Sequence, residues 1–458
     1  MGISRRTFLT GAMATTALTV AGCTTPFGSS TSYLTPILQP QNQNTVFHWV
    51  DILLQQVRDQ RVPPPRAAYN MAAPMAAGFL AANGILQKYD NPFGIGAGPV
   101  GADPEVAYGV AYATAAAEVF QQPFLYERNA FLKRFPRNEA TSLGAKWGRE
   151  VGLHINKMRT HDGAEPHKVD FYLGRYQRRG DALQWTPTGP FYSAKPGPAF
   201  ETFSRPLFPG HGKITPWTMT SGSQFRVPDF YDPASPEFAE EFDNIRRLGG
   251  KDSTIRTEDQ SEIALFWEDG PWGLTPPGHF VFIAIQVLQH LQMEFIDLAR
   301  AFALIGMTQA DASINAWDSK YHHDIIRPET SIRHRAPKFN NPDPRVQAQK
   351  NWESYIPTPE FPAYTSGHST FGGVGVEMTR LFLGTDHVSF SHESPDQVIW
   401  PQLKGIRRHF TSLTQAADEN GFSRLYGGVH WLLDHDEAMK AGTAIARQAF
   451  EKTFPLKV

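Results

Sequence analysis

The dominant pattern in this 458-residue chain is helical, because apolar residues recur three or four positions apart over many long segments. No segment of useful length alternates apolar and polar residues as a half-buried strand would. The periodic segments, each of which predicts a helix, span residues 46–60, 104–135, 139–158, 237–248, 262–267, 280–307, 369–383, 406–420 and 425–454. The sequence therefore predicts an all-α protein, with a long irregular connection rich in Gly, Pro and aromatic residues over 162–233.

Composition limits the classes of function. The 32 Phe and 10 Trp supply ample apolar mass for a core. A formal net charge of −2 leaves no excess of cations to replace phosphate counterions, which argues against a general nucleic-acid binder. The single cysteine excludes an intrachain disulfide framework and any Cys-based zinc site.

The N-terminus has the pattern of an export signal. Arg5 and Arg6 precede an uncharged apolar stretch, residues 8–22, which is too short to span a bilayer. It closes with Val-Ala-Gly before Cys23, which resembles a lipoprotein lipobox. These features predict twin-arginine export, cleavage after residue 22 and acylation of Cys23, giving a periplasmic or cell-surface lipoprotein. An uncleaved tail, or cleavage elsewhere with Cys23 unmodified, is the alternative.

The pattern along the chain predicts four parts. Residues 23–44, rich in Ser, Thr, Pro, Gln and Asn, have the composition of a tether between a lipid anchor and a folded domain. The predicted parts are the signal (1–22), the tether (23–44), an N-terminal helical bundle with the long loop (45–234) and a C-terminal helical bundle with an oxyanion site (235–458). The lipid anchor is the only membrane contact that the sequence predicts.

Two segments of the C-terminal half carry candidate anion-binding groups. Lys320 and Arg327 are seven residues apart, so both can project from one helical face if the helix persists nearly to Pro328. Ser366 and Gly367 precede a helical run directly, and a helix start presents free backbone N–H groups and a positive dipole end. Both segments therefore favour the binding of an anion.

A third segment adds an imidazole with a nearby carboxylate. His430 and Asp434 are four residues apart on a predicted helix, where Asp can accept the proton of one ring nitrogen and orient the other. With Arg424 and His368, the segments offer three cations, a hydroxyl, helix-start amides and two imidazoles. That set suits a compact oxyanion with two or three negative charges.

Each of these residues alone has an ordinary structural explanation, and the specific signal is their joint order. The pattern Lys-x6-Arg-Pro, then Ser-Gly-His, then Ser-Arg-x5-His-x3-Asp resembles the signature of the superfamily that joins vanadium-dependent haloperoxidases with type 2 phosphatidic acid phosphatases and bacterial acid phosphatases. Thr365 departs from the usual Pro before Ser-Gly-His, at a position that touches no ligand. The resemblance covers residues 250–436 and is greater to the fungal chloroperoxidase branch. It implies two helical bundles with the anion site in the second.

The resemblance also implies a cofactor and a role for each residue. The cofactor would be vanadate, whose site phosphate can also occupy. His430 would bind vanadium axially, and Asp434 would orient His430. His368 would hydrogen-bond the apical oxygen and act as the acid–base group. The non-axial oxygens would be held by Lys320, Arg327, Arg424, Ser366 and the Gly367 amide. Asp269 would pair with Arg424.

Two aromatic residues favour a peroxidase. Trp317 lies three residues before Lys320, and Phe361 lies seven before His368. Both match positions that form the apolar halide pocket in chloroperoxidase-type members, where bromoperoxidase-type members tend to carry His in place of the Phe. Plain core packing is the alternative for either ring. The substrates implied are hydrogen peroxide, a halide and a small organic acceptor.

Two other functions remain open at this stage. In an exported acid phosphatase of the same superfamily, His430 would be the nucleophile that forms a phosphohistidine, and His368 would protonate the leaving alcohol. A binding or structural lipoprotein with a vestigial site is the third hypothesis, against which the complete ligand set argues.

Overall fold

A computed structural model describes residues 44–120, 122–164, 176, 180–186, 206–270 and 272–457. The predicted signal, Cys23 and the tether up to residue 43 lie outside the described residues. Among the described residues, no helix combines the length and apolar character needed to cross a membrane.

The described chain is mostly helical, as predicted. Its N-terminal half contains α1 (Thr45–Asp59), α2 (Pro64–Leu86), α3 (Pro104–Phe120), α4 (Gln122–Leu132) and α5 (Glu139–Arg159). Its C-terminal half contains α6 (Pro236–Leu248), α7 (Glu258–Phe266), α8 (Thr275–Leu288), α9 (Phe295–His323), α10 (Gly367–Leu383), α11 (Leu413–Tyr426) and α12 (Leu432–Lys452). The all-α prediction is confirmed.

One small sheet departs from the helical pattern. Strands β1 (His387–Glu393) and β2 (Arg407–Ser412) pair antiparallel, with Phe390 opposite Phe410. The helix predicted over 406–420 is therefore wrong in its first part, because β2 precedes α11. Phe390 and Phe410 pack with their rings 5.2 Å apart in the core around α7, α8 and α10.

The predicted helices at 104–135, 280–307 and 425–454 are each interrupted. The first divides into α3 and α4, the second into α8 and α9, and the third contains the turn between α11 and α12. By contrast, α2 carried no periodic signal, because it is buried on nearly all sides and its Ala-rich sequence has no polar face.

The largest apolar core joins the two halves of the chain. It contains residues of α1, α2 and α3 together with α8, α9 and the end of α12. Gly306 of α9 illustrates this packing, since a Cβ there would lie 2.6 Å from the Met75 sulfur of α2. The division of the chain at residues 234 and 235 stays a prediction. In its described parts, the predicted irregular connection contains one short 3-10 turn, His211–Lys213.

Candidate active site

Lys320 lies fully buried in the last turn of α9. Its Nζ donates to the carbonyl oxygens of Pro362 and Ala363, both at 3.0 Å, which leaves the third ammonium proton for another partner. Burial lowers the pKa of Lys320 well below its ordinary value, and the nearby Arg327 acts in the same direction.

Arg327 does not continue the helix of Lys320. Helix α9 ends at His323, and Asp324 adopts a left-handed conformation with φ 53°. Arg327 is extended, with φ −72° and ψ 150°, as expected for a residue before a proline. The single helical face proposed for both cations is therefore wrong, although their side chains approach closely enough to interact electrostatically.

The Arg327 guanidinium links three segments of the site. Its Nε donates to the carbonyl of Phe361 at 2.8 Å, and its Nη1 donates to the carbonyl of Val429 at 2.7 Å and to His430 Nε2 at 3.0 Å. Arg327 is fully buried, and its Nη2 has no hydrogen-bond partner among the described residues. A buried donor of this kind fits an anion that would accept from it.

His430 lies in the turn between α11 and α12 instead of on the predicted helix. Gly428, with φ 75°, breaks the helical pattern two residues before it. His430 Nδ1 nevertheless lies 2.6 Å from Asp434 Oδ2, which also accepts from the Trp431 amide.

The hydrogen-bond partners of His430 determine its tautomer, because the Arg327 guanidinium can only donate to Nε2. Burial lowers its pKa well below the ordinary value, and the cations Arg327, Lys320 and Arg424 lower it further. The neutral ring then donates from Nδ1 to Asp434, so Nε2 carries the lone pair that faces Arg327. The predicted orienting contact between Asp434 and His430 is present in the structure.

The Ser-Gly-His segment begins α10. Ser366 is the N-cap, and its Oγ accepts from the Ser369 amide at 3.3 Å. The Ser366 amide donates to the carbonyl of Asp434 at 3.0 Å, which ties the start of α10 to α12. Gly367 is the first helical residue, and a Cβ there would lie 3.5 Å from the Trp317 ring.

His368 and Arg424 meet at the end of α7. His368 Nε2 lies 3.2 Å from the carbonyl of Glu268, and Arg424 Nη1 donates to the carbonyls of Trp267 and Glu268, both at 3.4 Å. Since a carbonyl can only accept, His368 carries its proton on Nε2 and a lone pair on Nδ1. Burial lowers the pKa of His368 well below its usual value, and Arg424 reinforces that effect.

Asp269 has a different partner from the one predicted. Its Oδ1 lies 2.9 Å from Nδ1 of His279, whose Nε2 lies 2.8 Å from Nε2 of His392. Asp269 acts on Arg424 only as a nearby charge, and Arg424 forms no ion pair within 4 Å among the described residues. The predicted direct pairing of Asp269 with Arg424 is therefore absent from this structure.

Two further acidic residues near Arg424 were missed by sequence reasoning. Glu268 and Asp396 both stabilise the charge of Arg424, and burial raises the pKa of each carboxyl group. Glu268 adjoins Asp269, so its acidic neighbour was an available signal. Asp396 follows β1 in a segment without a motif, and only the fold brings it to the site.

An aromatic wall borders the cations. The Trp317 and Phe361 rings lie 5.0 Å apart, and Lys320 Nζ lies 4.9 Å from the Phe361 centroid and 5.7 Å from that of Trp317. The Arg327 guanidinium carbon lies 4.8 Å from the Phe361 ring. The two aromatic residues predicted to form a halide pocket are thus in contact with each other and adjacent to Lys320.

Together these residues fit an oxyanion. Lys320, Arg327 and Arg424 are all buried, and two of their donor atoms, Arg327 Nη2 and Arg424 Nε, have no hydrogen-bond partner among the described residues. Burying three cations is costly unless an anion compensates them. Vanadate and phosphate both satisfy this need, because each carries several acceptor oxygens on a compact charged centre.

Comparisons with known proteins agree on one family. Residues 300–456 match the family model of the VCPO second helical-bundle domain. The vanadium chloroperoxidase of Curvularia inaequalis is 28% identical over 278 residues, which are 49% of this chain and 46% of that protein. The aligned region therefore spans less than half the length of that curated relative.

Solved structures show the same fold. A bacterial vanadium-dependent iodoperoxidase superposes with a TM-score of 0.71 at 23% identity, covering 91% of this chain and 98% of the other. An apo bacterial vanadium-dependent chloroperoxidase superposes with a TM-score of 0.67 at 17% identity, covering 84% and 92%. These matches show that the chain has the fold of these two proteins, in agreement with the helical fold predicted from the sequence.

Proposed function

We propose that this chain, whose residues 300–456 belong to the second helical-bundle family of the vanadium chloroperoxidases, is a vanadate-dependent haloperoxidase that uses hydrogen peroxide to oxidise halide to hypohalous acid. The observation that carries the proposal is the convergence of Lys320, Arg327 and Arg424 on His430, beside the wall formed by Trp317 and Phe361. Vanadate bound there would supply Lewis-acid activation of the peroxide without a change in metal oxidation state.

Different groups of the chain would hold the central atom and the oxygens of the oxyanion. His430 Nε2 would hold the central atom, because its proton lies on Nδ1 toward Asp434. The three cations and the Ser366 hydroxyl would hold the surrounding oxygens. The N–H groups at the start of α10 add the positive end of a helix dipole.

His368 is the proton-transfer group. Its Nδ1 lone pair is available because Nε2 faces the Glu268 carbonyl, and its lowered pKa keeps the ring neutral at ordinary pH. It is also partly exposed, unlike the buried His430, so it can exchange protons with solvent. A neutral, accessible imidazole is suited to take a proton from hydrogen peroxide.

The aromatic wall favours halide as the second substrate. A halide must lose water before it reacts, and apolar rings beside the Lys320 cation provide a poorly hydrated but positively charged position. Iodide and bromide, which are less strongly hydrated and more easily oxidised, are expected to react more readily than chloride. A small organic acceptor would then consume the oxidised halogen.

Export and anchoring form a separate part of the proposal. We infer twin-arginine export from Arg5 and Arg6, and lipidation at Cys23. Arg5→Lys with Arg6→Lys should abolish export, and Cys23→Ala should release the protein from the membrane fraction. Normal export of the double-Lys variant would contradict the signal assignment.

The activity is tested on one preparation. Protein loaded with orthovanadate should brominate a phenolic dye when bromide and hydrogen peroxide are present, and added phosphate should compete for the site. Hydrolysis of a phosphate ester is assayed in parallel without vanadate. Robust ester hydrolysis, together with no oxidation of any halide by vanadate-loaded protein, would instead identify an acid phosphatase with His430 as nucleophile.

A further inference from the structure

The helical hairpin α4–α5 carries a charge opposite to that of the chain. Residues 126–160 contain eight Lys and Arg but three Glu, a net charge of +5, whereas the whole chain has a formal net charge of −2. One of these cations, Arg159, is buried against Asp162 at 2.5 Å. The other seven are Arg128, Lys133, Arg134, Arg137, Lys146, Arg149 and Lys157, none of which forms an ion pair with a described residue.

The packing of α5 determines which side of the hairpin faces outward. Gly144, Gly148 and Gly152 lie four residues apart on one face, against α3. A Cβ at Gly144 would lie 2.5 Å from the Asp103 carbonyl oxygen, just before α3 begins, and one at Gly152 would lie 2.8 Å from the Ala111 carbonyl oxygen. Because this close-packed face points inward, Lys146, Arg149 and Lys157 of α5 are exposed on the other side of the helix.

Both helices also expose apolar side chains. Tyr126 is 70% exposed, Leu153 is 51% exposed and Met158 is 36% exposed. A groove of about 700 Å³ lies between the helices. Its lining includes Leu132 and Leu153, three basic residues and one acidic residue: Arg128, Lys146, Arg149 and Glu150. The surface therefore combines cations with exposed apolar side chains, the composition that binds a membrane interface.

The start of the described chain lies beside this surface. Thr45, the first residue of α1, donates to Glu105 in the first turn of α3 at 2.8 Å. One turn further, the His48 ring stacks on Phe131 of α4 with centroids 6.3 Å apart, and the charge of Arg134 acts on His48. The predicted tether therefore leaves the fold next to the basic hairpin.

We propose that the outward side of the α4–α5 hairpin is a docking surface for an anionic phospholipid bilayer. A chain held by an acyl group at Cys23 would present this surface to the membrane that anchors it. The uncharged tether, residues 24–44, offers no charge complementarity to the seven cations, whereas phospholipid headgroups do. The hairpin would thus orient the enzyme, adding a contact beyond the lipid anchor.

The test uses the exported chain, which begins at residue 23 in the predicted processing, with Cys23→Ser so that no acyl group attaches. Binding is measured by co-sedimentation with phosphatidylcholine vesicles and with vesicles containing about 30 mol% phosphatidylglycerol. The variant Arg128→Glu/Lys146→Glu/Arg149→Glu is compared with Lys338→Glu/Lys350→Glu/Lys404→Glu, which reverses three exposed cations of the C-terminal half. Thermal unfolding midpoints verify that both variants are folded.

The unmodified hairpin should bind the anionic vesicles and not the zwitterionic ones, and binding should weaken as NaCl rises from about 0.05 to about 0.5 M. The hairpin variant should lose about tenfold or more of the partition coefficient, and the control variant should keep it. Equal binding to both vesicle types, or equal losses in the two variants, would overturn the proposal. Failure of the unmodified chain to bind anionic vesicles would do so as well. None of these results depends on the haloperoxidase assignment.

Discussion

At the scale of single residues, the most informative contact is the one between His430 and Asp434. The sequence spacing predicted that Asp434 orients the imidazole, and the 2.6 Å separation agrees although the predicted helix does not reach His430. The reason is that Asp434 lies in the first turn of α12, so its carboxylate reaches back over the helix start. A turn can therefore place this pair as well as a helix can.

Replacing Asp434 with Asn tests that contact. The Asn amide can donate to Nδ1 and thereby move the His430 proton to Nε2, the atom proposed to hold the oxyanion. Vanadate affinity should fall about 10- to 100-fold in Asp434→Asn, as measured by calorimetric titration. Asp252→Asn, an exposed change of the same kind, is the control. Unchanged affinity in Asp434→Asn would refute the orienting role.

Phe361 is the residue on which halide preference is expected to depend. Its ring lies 4.9 Å from Lys320 Nζ and 5.0 Å from the Trp317 ring. Phe361→His would bring a polar, hydrated group to this wall, so chloride oxidation should fall more than bromide oxidation. The ratio of kcat/KM for the two halides measures the effect. Equal losses for both halides would show that the wall does not select between them.

At the scale of helices and strands, sequence periodicity predicted the helices that have one polar face and one apolar face. Helices α1 and α5 begin and end within one residue of the predictions. Helix α2 was missed because it is buried on nearly all sides and has no polar face, and β2 was taken for helix because its sequence, residues 407–412, does not alternate apolar and polar residues. In the site, the motifs identified the cations, but Asp396 and the His279–His392 contact depend on tertiary packing.

The glycine face of α5 gives a prediction at this scale. A Cβ at Gly148 would overlap the carbonyl oxygen of Ala107 on α3, and a backbone atom cannot move aside as a side chain can. Gly148→Ala should therefore lower the free energy of unfolding by about 1–3 kcal/mol. Gly96→Ala serves as the control, since a Cβ there has no neighbour within 4 Å. Denaturant unfolding of both variants measures the difference, and equal midpoints would contradict the packing.

At the scale of the whole molecule, buried neutral histidines make stability depend on pH. Burial lowers the pKa of His211 to about 3 and that of His435 to about 4, against about 6.5 in an unfolded chain. Between pH 6.5 and 4 the unfolded state therefore binds more protons than the folded state does. The free energy of unfolding should consequently fall as pH is lowered through this range.

His211→Gln isolates one of these groups. The Ser313 hydroxyl donates to a backbone carbonyl, so its oxygen accepts from His211 Nε2 at 2.8 Å, and a Gln amide can replace that donor. The slope of unfolding free energy between pH 4 and 6 should decrease by up to about 1.4 kcal/mol per pH unit. His161→Gln, at an exposed position, is the control. An unchanged slope in His211→Gln would contradict the linkage.

The central claim is that the whole fold assembles an oxyanion site around His430, and vanadate titration tests it most directly. The unmodified protein should bind one vanadate with phosphate as a competitor. His430→Ala should weaken vanadate binding by about 100-fold or more, because the remaining cations retain only electrostatic attraction. His334→Ala, at an exposed position, should bind as the unmodified protein does. Vanadate binding of equal strength in His430→Ala would contradict the claim.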